Sequence, residues 1–356
     1  MKIHPQFKFN GQSFSKSHLS EIAYSLVKEG KPFEKPLGDF MLDWFDAKDT
    51  IIVNTSGSTG TPKPIRLKKR YMANSALATA SFFRLKAGDT ALLCLPTDYI
   101  AGKMMLVRAM VLGLELDVVE PTSHPLQHIS KPYDFCAMVP LQAEQSLPRL
   151  HQLKKLIIGG APVPHRLQQE LSNTTALCYE TYGMTETITH IAAKQLNGFK
   201  DNLEYQDVFK VMDNVNIKSD GRGCLVVDAP NVSDASVRTN DLIEILDQDT
   251  FKWLGRFDNI INSGGIKLQP EQIESKLATV LGTRYFVAGV PDPALGEKLI
   301  LVIEGQEDKE NVLNGIRSLK SISKYEVPKS VYFVPKFIET TTGKIQRSKT
   351  IEAISM

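Results

Sequence analysis

The sequence predicts an α/β fold: a large N-terminal domain with parallel sheet layers flanked by helices plus a small antiparallel β subdomain, and a small, mobile α+β C-terminal domain. From about residue 50 onward, short apolar runs alternate with stretches of helical spacing, which is typical of a parallel sheet covered by helices. Over about 205–254 the pattern changes to short strands separated by turns, and beyond it to a compact α+β unit. We therefore expect two domains, 1–255 and 256–356.

Individual elements follow from the same periodicity. Strands are expected in the apolar runs 50–54, 90–95, 114–119, 135–139, 155–160 and 176–180. Helices are expected at 16–29, 71–84, 101–113 and 164–172. The C-terminal part predicts a helix, two strands, a helix and a strand, in that order. Ligands of parallel sheets gather beyond the carboxyl ends of the strands, so the loops at those ends are the first candidates for a site.

Composition excludes several classes of protein. The chain has 356 residues and a formal net charge of +2, which argues against broad electrostatic binding of nucleic acid. It contains no apolar window long enough to cross a membrane, and its N-terminus lacks the apolar run of a secretory signal. The four cysteines are widely spaced and predict buried free thiols in a reducing, cytoplasmic compartment. The oligomeric state stays open between a monomer and a homodimer.

The segment 55–64, TSGSTGTPKP, has the composition of a phosphate-binding loop and directly follows the apolar run 50–54. Its glycines free backbone N–H groups to face an anion, while its hydroxyls and a lysine add donors. It is not a Walker A loop, because the GK[ST] ending is absent. A flexible polar surface loop is the alternative. The residues expected to bind phosphate are Thr55, Ser56, Gly57, Ser58, Thr59, Gly60 and Lys63.

Four further motifs follow this loop along the chain. They are YGMTET at 182–187, TND at 239–241, GRFD at 255–258 and TGK at 342–344. With the loop, they resemble the AMP-forming acyl-CoA synthetase (adenylate-forming) superfamily over residues 55 to about 347. The resemblance implies an enzyme that uses ATP and Mg²⁺ to convert a carboxylic acid into its acyl-adenylate and then transfers the acyl group to the thiol of coenzyme A.

The resemblance also implies roles for residues of the N-terminal domain. Tyr182, followed by Gly183, stacks on adenine. Thr185 donates to the α-phosphate as a catalytic residue, and Glu186 holds Mg²⁺, a hard ion that takes oxygen ligands. Gly160 and Ala161 resemble the family's adenine-side wall, with a plain strand-to-helix turn as the alternative.

Three residues near the domain boundary resemble the family's ribose contacts and hinge. Asp241 accepts both ribose hydroxyls, Arg256 contacts the ribose or a phosphate, and Asp258 is the hinge between the domains. The family usually has glycine where Asn240 stands, and since asparagine tolerates a left-handed backbone, we expect a turn to be kept there before the next strand. For Arg256 and Asp258, a local surface ion pair is the alternative.

The C-terminal domain contributes the catalytic lysine. By resemblance, Lys344 moves into the active site and neutralises charge on the α-phosphate during adenylation. Gly264, Gly265 and Lys267 resemble the segment that approaches the nucleotide and the coenzyme A arm. A simple hinge turn is the alternative for that segment.

The acyl-binding side is the least regular part of the resemblance. Tyr99 and Gly102 lie where the family has the gate of its acyl pocket, but Asp98 and Tyr99 depart from the family pattern, so the gating role stays open. Arg108, on an apolar helix, pairs with a second substrate carboxylate or reaches out to the surface. The first alternative fits an aromatic dicarboxylate substrate. His190 either lines the acyl pocket or is a hydrogen-bonded core histidine.

Other functions compete with this interpretation. Within the same chemistry, the substrate is another aryl or acyl acid, or the acceptor is a carrier protein. From another class, the chain is a non-catalytic nucleotide-binding module of the same fold. A dinucleotide-dependent oxidoreductase is excluded because GxGxxG is missing after the first strand. Only 54 residues precede the phosphate loop, so we expect a shortened N-terminal part.

Overall fold

The computed structural model describes residues 3–54, 64–199, 207–306, 308–340 and 345–354. The expected phosphate-binding residues 55–60 and 63, and Lys344, lie outside the described residues. The chain divides into two compact units. The first comprises residues 1–217, 227–237 and 247–251, and the second comprises 218–226, 238–246 and 252–356.

The helices and strands of the described residues follow the predicted alternation. The strands are β1 (Lys8–Phe9), β2 (Thr50–Asn54), β3 (Pro64–Lys68), β4 (Thr90–Leu93), β5 (Glu115–Val118), β6 (Tyr133–Met138), β7 (Leu153–Ile158), β8 (Leu177–Gly183), β9 (His190–Gln195), β10 (Phe209–Val211), β11 (Asn216–Ser219), β12 (Cys224–Asp228), β13 (Val237–Ile245), β14 (Thr250–Arg256), β15 (Ile261–Ser263), β16 (Ile266–Leu268), β17 (Tyr285–Asp292), β18 (Gly296–Glu304) and β19 (Ser330–Val334). The helices are α1 (Lys16–Glu29), α2 (Glu34–Phe45), α3 (Lys69–Phe83), α4 (Ile100–Leu112), α5 (Pro140–Gln145), α6 (His165–Leu171), α7 (Pro270–Leu277), α8 (Lys309–Ser318) and α9 (Arg347–Glu352).

Helix ends follow local chemistry. The hydroxyl of Ser15 accepts the N–H of His18 at the start of α1, and α7 begins at Pro270, whose missing N–H costs nothing in a first turn. Helix α4 ends at Gly113, whose φ of +78° is unstrained only in glycine. In the part of the chain that the structure describes, no helix combines the length and the apolar composition that crossing a bilayer requires.

A parallel sheet forms the centre of the first unit. Its strand order is β1-β5-β4-β6-β7-β8, and each neighbouring pair in this series is parallel. This confirms the predicted α/β class. Strand β9 pairs antiparallel with β8. Strand β10, the first strand of the expected antiparallel region, pairs with β9 and so continues the same sheet instead of starting a separate one. The carboxyl ends of β4, β6, β7 and β8 lie at one edge, where α/β proteins bind ligands.

The strand before the expected phosphate loop is not part of this sheet, so that prediction is wrong. Strand β2 pairs antiparallel with β3, and Asn54 lies opposite Pro64 in a two-stranded sheet. Ile51 and Val53 are buried, but Ile52 is 61% exposed. A strand within a parallel sheet is buried on both faces, whereas this one buries a single face. The apolar run alone does not distinguish the two cases.

The four cysteines confirm the prediction of buried free thiols. Cys94, Cys136 and Cys178 belong to one apolar cluster that includes residues of strands β4, β6, β7 and β8. The Sγ atoms of Cys94 and Cys136 lie 3.7 Å apart, and burial comes first among the causes that raise the pKa of Cys136 well above its usual value. A buried thiol of raised pKa is a weak nucleophile, so these side chains act as core residues.

A strained turn connects β8 to β9. Ile188, which is 1% exposed, has φ +68° and ψ −58°, and the N–H of Thr189 donates to the carbonyl of Thr187 at 2.8 Å. This is a γ-turn with positive φ, a rare and strained conformation, and for a β-branched residue it is unusual. The turn lies between the YGMTET motif and His190, so strain is concentrated beside the expected site.

The second unit contains the predicted C-terminal α+β elements. Strands β16-β15-β18-β17 form a sheet in that order, with β19 parallel to β18. Helices α7 and α8 bury Ile273, Leu277 and Ile316 in a cluster with residues of this sheet. Portions of β11 to β14 also belong to this unit and lie side by side in the order β14-β13-β12-β11.

An ion pair anchors α9, the helix that follows the expected catalytic lysine in sequence. The guanidinium of Arg347 donates from Nη2 to Glu274 Oε2 at 2.9 Å, and the N–H of Val287 donates to Glu274 Oε1 at 2.8 Å. Burial is the main cause that raises the pKa of Glu274, from 4.5 in an ordinary glutamate to about 7, against the opposing charge of Arg347.

The strained turn predicts that glycine is more stable than alanine at position 188, the reverse of the usual order in a folded chain. Both Ile188→Gly and Ile188→Ala lose the buried side chain, but only glycine relieves the backbone strain. We expect the glycine variant to have the larger free energy of unfolding, by about 1 kcal/mol. The control is the same pair of substitutions at Ile191 in β9, where alanine should be the more stable. Chemical denaturation of the four variants measures this, and alanine being preferred at position 188 would contradict the strain.

The pKa of Glu274 predicts a pH dependence of stability. Between pH 4.5 and about 7 the folded state binds more protons than the unfolded state, so the free energy of unfolding should decrease as the pH rises through this window. The full contribution is on the order of 3 kcal/mol. In Glu274→Gln this slope should be missing. Urea unfolding of both proteins from pH 4.5 to 8 measures it, and parallel pH profiles would rule it out.

Candidate active site

The loop after β7 packs closely against β8. A Cβ added to Gly159 would lie 2.4 Å from Oγ1 of Thr181, and that hydroxyl donates to the carbonyl of Ile158 at 3.1 Å. Gly160 has φ +85°, in the region that favours glycine. The structure therefore places Gly160 and the adjoining Ala161 at the carboxyl edge of the sheet, beside the strand that carries Tyr182.

A buried ion pair that sequence reasoning missed holds this loop. The N–H of Val163 donates to Oε1 of Glu180 at 3.1 Å, and Nζ of Lys194 lies 2.9 Å from Oε2 of the same carboxylate. Glu180 and Lys194 are 7% and 6% exposed. Lys194 also contacts Asp207 at 2.6 Å. Because buried charges require partners, Glu180 and Lys194 depend on each other to keep the loop in place.

Tyr182 stands on an aromatic support. Its ring meets Phe209 and Phe251 edge-on, with centroids 5.9 Å and 5.5 Å away, and these two phenylalanines stack on each other. Such contacts fix the plane of a tyrosine ring. The next residue, Gly183, approaches the start of β9 so closely that an added Cβ would lie 2.2 Å from the carbonyl oxygen of Thr189.

Thr185 and Glu186 lie in a single 3-10 turn, Thr185–Thr187, that follows β8. The hydroxyl of Thr187 accepts the N–H of Met184 at 3.1 Å, which fixes the start of the turn. Glu186 is exposed, and the described residues contain no cluster of three His, Cys, Asp or Glu side chains that would hold a metal by themselves. One exposed carboxylate matches the way proteins hold Mg²⁺, through one or two carboxylates together with substrate phosphates.

Arg108 does not reach the surface, so the alternative of an exposed arginine is wrong. It is 2% exposed, on a helix whose neighbours are also buried. Nε donates to Oγ1 of Thr79 at 3.2 Å, and Nη2 lies 3.3 Å from Oγ1 of Thr189 and 3.4 Å from Nδ1 of His190. Burial lowers the pKa of Arg108 to about 9, so the guanidinium is charged at neutral pH. Within the described residues, no carboxylate forms an ion pair with it.

His190 is a hydrogen-bonded core histidine, which is one of the two alternatives that the sequence left open. Its Nε2 lies 3.1 Å from Oγ1 of Thr79, whose own hydroxyl donates to the carbonyl of Ser75 at 2.9 Å. Burial, and then the charge of Arg108, lowers the pKa of His190 well below its usual value. A neutral ring that accepts at Nδ1 and donates at Nε2 satisfies every bond in this group. We call Thr79, Arg108, Thr189 and His190 the arginine network.

The arginine network has a side that faces outward. His190 also borders a groove of about 240 Å³, together with Asn74, Ser81 and Asp213. Thr189 is half-buried, whereas Thr79 is fully buried. Of the two hydroxyl partners of Arg108, Thr189 is therefore the more accessible. Whether the acyl group binds beside His190 stays a prediction.

The residues at the expected gate are fixed by the start of α4. Gly102 is required, because an added Cβ would lie 2.3 Å from the carbonyl oxygen of Pro96. Tyr99 immediately precedes the helix, and the exposed Asp98 precedes Tyr99. The side chain of Lys103 turns back to the carbonyls of Thr97 and Asp98. The structure thus orders this segment without assigning a gate to it.

In the second unit, Asp241 lies inside a continuous strand. Thr239–Asp241 belong to β13, and Asn240 does not have positive φ, so the expected left-handed turn is wrong. Backbone pairing keeps this segment extended, and asparagine adopts that conformation as well as other residues do. Asp241 is 8% exposed, and its Oδ1 accepts the indole N–H of Trp253 at 3.1 Å.

Arg256 and Asp258 form the local ion pair that was the alternative for them. Nη2 of Arg256 lies 2.6 Å from Oδ2 of Asp258, with both side chains about half exposed, and Nη1 lies 3.8 Å from Oδ1 of Asp241. The amide of Asn240 donates to the same Asp258 oxygen at 3.2 Å, and Arg222 donates to Oδ1 of Asn240 at 2.9 Å. The expected ribose carboxylate, arginine and hinge residue are therefore one connected group.

The glycine-rich segment is a tight hairpin. Ser263 pairs with Ile266 across Gly264 and Gly265, which have φ of +59° and +79°. Two consecutive residues with positive φ are typical of the two-residue hairpin turn that matches strand twist. Lys267 pairs with Asn262 and is exposed. The simple-turn alternative accounts for both glycines.

Comparison with known proteins identifies a family for this chain. A profile of the family described as AMP-binding enzyme matches residues 18–222. The 2-succinylbenzoate–CoA ligase of Bacillus cytotoxicus is 26% identical over 335 residues, which cover 85% of this chain and 69% of that protein. The Lactococcus lactis ligase of the same name is 25% identical over 362 residues, covering 96% and 78%.

Solved structures of AMP-forming ligases are also similar to this chain. An acyl-CoA synthetase (AMP-forming)/AMP-acid ligase II-like protein from Dyadobacter fermentans is 38% identical, with a TM-score of 0.62, covering 94% of this chain and 97% of that one. The o-succinylbenzoate coenzyme A synthetase of Bacillus subtilis, solved with ATP and magnesium, is 19% identical with a TM-score of 0.72, covering 96% and 83%. At that identity the likeness shows the fold alone, which is the fold of AMP-forming ligases. The family match covers more than half of the chain, and the chain therefore belongs to the AMP-binding enzyme family.

Proposed function

We propose that this enzyme activates o-succinylbenzoate, an aromatic dicarboxylate, with ATP and then transfers the acyl group to coenzyme A. The observation that carries the proposal is Arg108: a charged guanidinium, 2% exposed, that has only neutral partners among the described residues. A buried charge without a counter-ion is costly, and a substrate carboxylate offsets that cost when it binds. Curated relatives named 2-succinylbenzoate–CoA ligase support the same choice.

Only one of the two substrate carboxylates reacts. Its oxygen attacks the α-phosphorus of ATP, the bond to pyrophosphate breaks, and a mixed anhydride with AMP forms. The thiolate of coenzyme A then attacks the acyl carbon, and the carbon–oxygen bond to AMP breaks. The second carboxylate stays ionised throughout, so its role is binding and orientation. A bidentate arginine contact provides both.

The protein orients groups and neutralises charge in this scheme. The segment Thr55–Lys63 holds the phosphates, Thr185 donates to the α-phosphate, and Tyr182 supports adenine. Glu186 would hold Mg²⁺, which supplies positive charge at the phosphates.

Two further groups act at the ribose and at the acyl transfer. Asp241 and Arg256 bind the ribose side. Residues 256–356 rearrange about Asp258 between the half-reactions, and the hairpin carrying Gly264, Gly265 and Lys267 approaches the coenzyme A arm in the second.

Three functions compete with this proposal. The enzyme could activate a different acid, it could transfer the acyl group to a carrier protein, or the chain could bind nucleotide without turnover. Pyrophosphate release with o-succinylbenzoate, benzoate and a fatty acid distinguishes them, followed by trapping of the product with coenzyme A or hydroxylamine. The proposal requires o-succinylbenzoate to have the largest kcat/KM and coenzyme A to yield a thioester. Equal rates with the three acids would contradict the assignment of o-succinylbenzoate as substrate. Nucleotide binding without pyrophosphate release would contradict catalytic activity and favour the module that only binds nucleotide.

Arg108→Met tests the substrate assignment at the residue that carries it. We expect kcat/KM for o-succinylbenzoate to fall by roughly 10²-fold or more, because a charged contact is lost, while benzoate changes little. The free energy of unfolding should stay the same or increase, since an apolar side chain replaces a buried, unpaired charge. The matched control is Arg166→Met, where the arginine side chain is 70% exposed. Equal losses with both acids would contradict the assigned role.

Lys344→Ala tests the division into two half-reactions. We expect adenylation to slow by about 10²–10³-fold, because a preorganised charge at the α-phosphate is lost. Thioester formation from pre-made acyl-adenylate should be nearly unchanged. The exposed Lys349 gives a control substitution to alanine. Equal loss of both steps would show that Lys344 is not the adenylation lysine.

A further inference from the structure

Two of the neighbours of Asp241 act on different parts of it. Its backbone N–H donates to Oγ1 of Thr239 at 3.0 Å, and that hydroxyl donates to the carbonyl of Leu225 at 2.9 Å. Its carboxylate accepts the indole N–H of Trp253 at 3.1 Å from the neighbouring strand β14. Thr239 therefore fixes the main chain of Asp241, and Trp253 fixes the direction of its side chain.

The indole suits this orienting task better than the nearby arginine. Nη1 of Arg256 lies 3.8 Å from the same Oδ1, beyond hydrogen-bond distance, and its Nη2 is already bonded to Asp258. The Arg256 side chain is 44% exposed, so solvent screens its charge. Trp253 is half-buried, and its indole carries a single N–H on a rigid ring. That donor orients the carboxylate without neutralising it.

We infer that Trp253 is a positioning residue for nucleotide binding, which acts by aiming the carboxylate of Asp241 at the ribose hydroxyls. The inference rests on the proposed function, in which Asp241 binds the ribose. A carboxylate that is held in one direction before the ligand arrives loses less side-chain freedom on binding. Trp253 itself need not touch the nucleotide, and its effect should therefore depend on the hydroxyls that Asp241 contacts.

A comparison of two nucleotides tests this dependence. Trp253→Phe keeps an aromatic ring but removes the N–H, and we expect the Kd of MgATP, measured by calorimetry, to rise roughly tenfold because a hydrogen bond to a charged group is lost. With 2′,3′-dideoxyATP, which lacks both hydroxyls, the variant and the parent should bind equally. In turnover, the KM for ATP should rise while kcat changes little. Trp253→Leu, a second variant without a donor, serves if the first does not fold.

The other tryptophan provides a matched control. Trp44 is fully buried, and its indole nitrogen has no hydrogen-bond partner among the residues that the structure describes. These two are the only tryptophans of the sequence. Trp44→Phe should leave the Kd of MgATP unchanged. It also leaves Trp253 as the sole indole, whose fluorescence should then respond to MgATP but not to the dideoxy nucleotide.

Two results would overturn the inference. If Trp253→Phe weakened both nucleotides equally, or neither, the residue would be structural only. Asp241→Asn separates this failure from failure of the proposed function. If Asp241→Asn lost the preference for ATP over the dideoxy nucleotide but Trp253→Phe kept it, only the role of Trp253 would fall. If Asp241→Asn kept the preference, the ribose role of Asp241 would be wrong, and the role of Trp253 would fall with it.

Discussion

The burial of one arginine constrains much of the first unit. Arg108 carries its charge into the interface of α3 and α4, where its described partners are two hydroxyls and a neutral imidazole. A protonated His190 would add a second buried charge, so the network is stable only while that ring is neutral. The threonine between them accepts from both and donates once, which uses all of its hydrogen-bonding capacity. The apolar sequence of α4 thus contains one buried charge that has no counter-ion among the described residues.

The same region also carries a strained backbone turn. Ile188 adopts a positive φ immediately before Thr189 and His190, both of which contact Arg108. The strain at Ile188 and the buried charge of Arg108 both reduce stability, and they meet at Thr189 and His190, the two residues that follow Ile188. Sequences keep such costs where function requires a fixed geometry. The second unit differs, because Arg256 there is paired with Asp258 and near Asp241, so its charges compensate one another.

Periodic features of the sequence predicted the fold well. The parallel strands and their helices occur where apolar runs alternate with helical spacing. A strand that is buried on both faces of a sheet requires a continuous apolar run, and this run can be recognised within a few residues of sequence. The isolated pairing of β2 with β3 was missed, since pairing is not local and an apolar run looks the same in either sheet. The extended backbone at Asn240 was missed for a related reason: strand pairing overrode the preference of the residue for a turn.

The site was predictable only in part, for the same physical reason. Motifs are contiguous, so Tyr182, Asp241 and Arg256 could be named from the chain alone. The residues that position a site lie on other strands: Phe209 and Phe251 support the ring of Tyr182, and the pair of Glu180 and Lys194 holds the loop that carries Gly160. Glu180 and Lys194 are ordinary charged residues until the structure shows them paired and buried, and the same is true of Trp253 against Asp241. A single sequence records which groups perform chemistry more clearly than which groups position them.

Three glycines limit how this site can change. An added Cβ at Gly102, Gly159 or Gly183 would lie within 2.5 Å of a neighbouring oxygen, which is backbone at two of the three. The backbone at the carboxyl edge of the sheet is therefore close-packed, and it cannot shift to fit a different acid without disturbing several strands. Changes in acyl preference must come from side chains that the backbone merely presents. In the proposed function Arg108 is such a side chain, because substituting it removes the charge that pairs with the second carboxylate of the substrate.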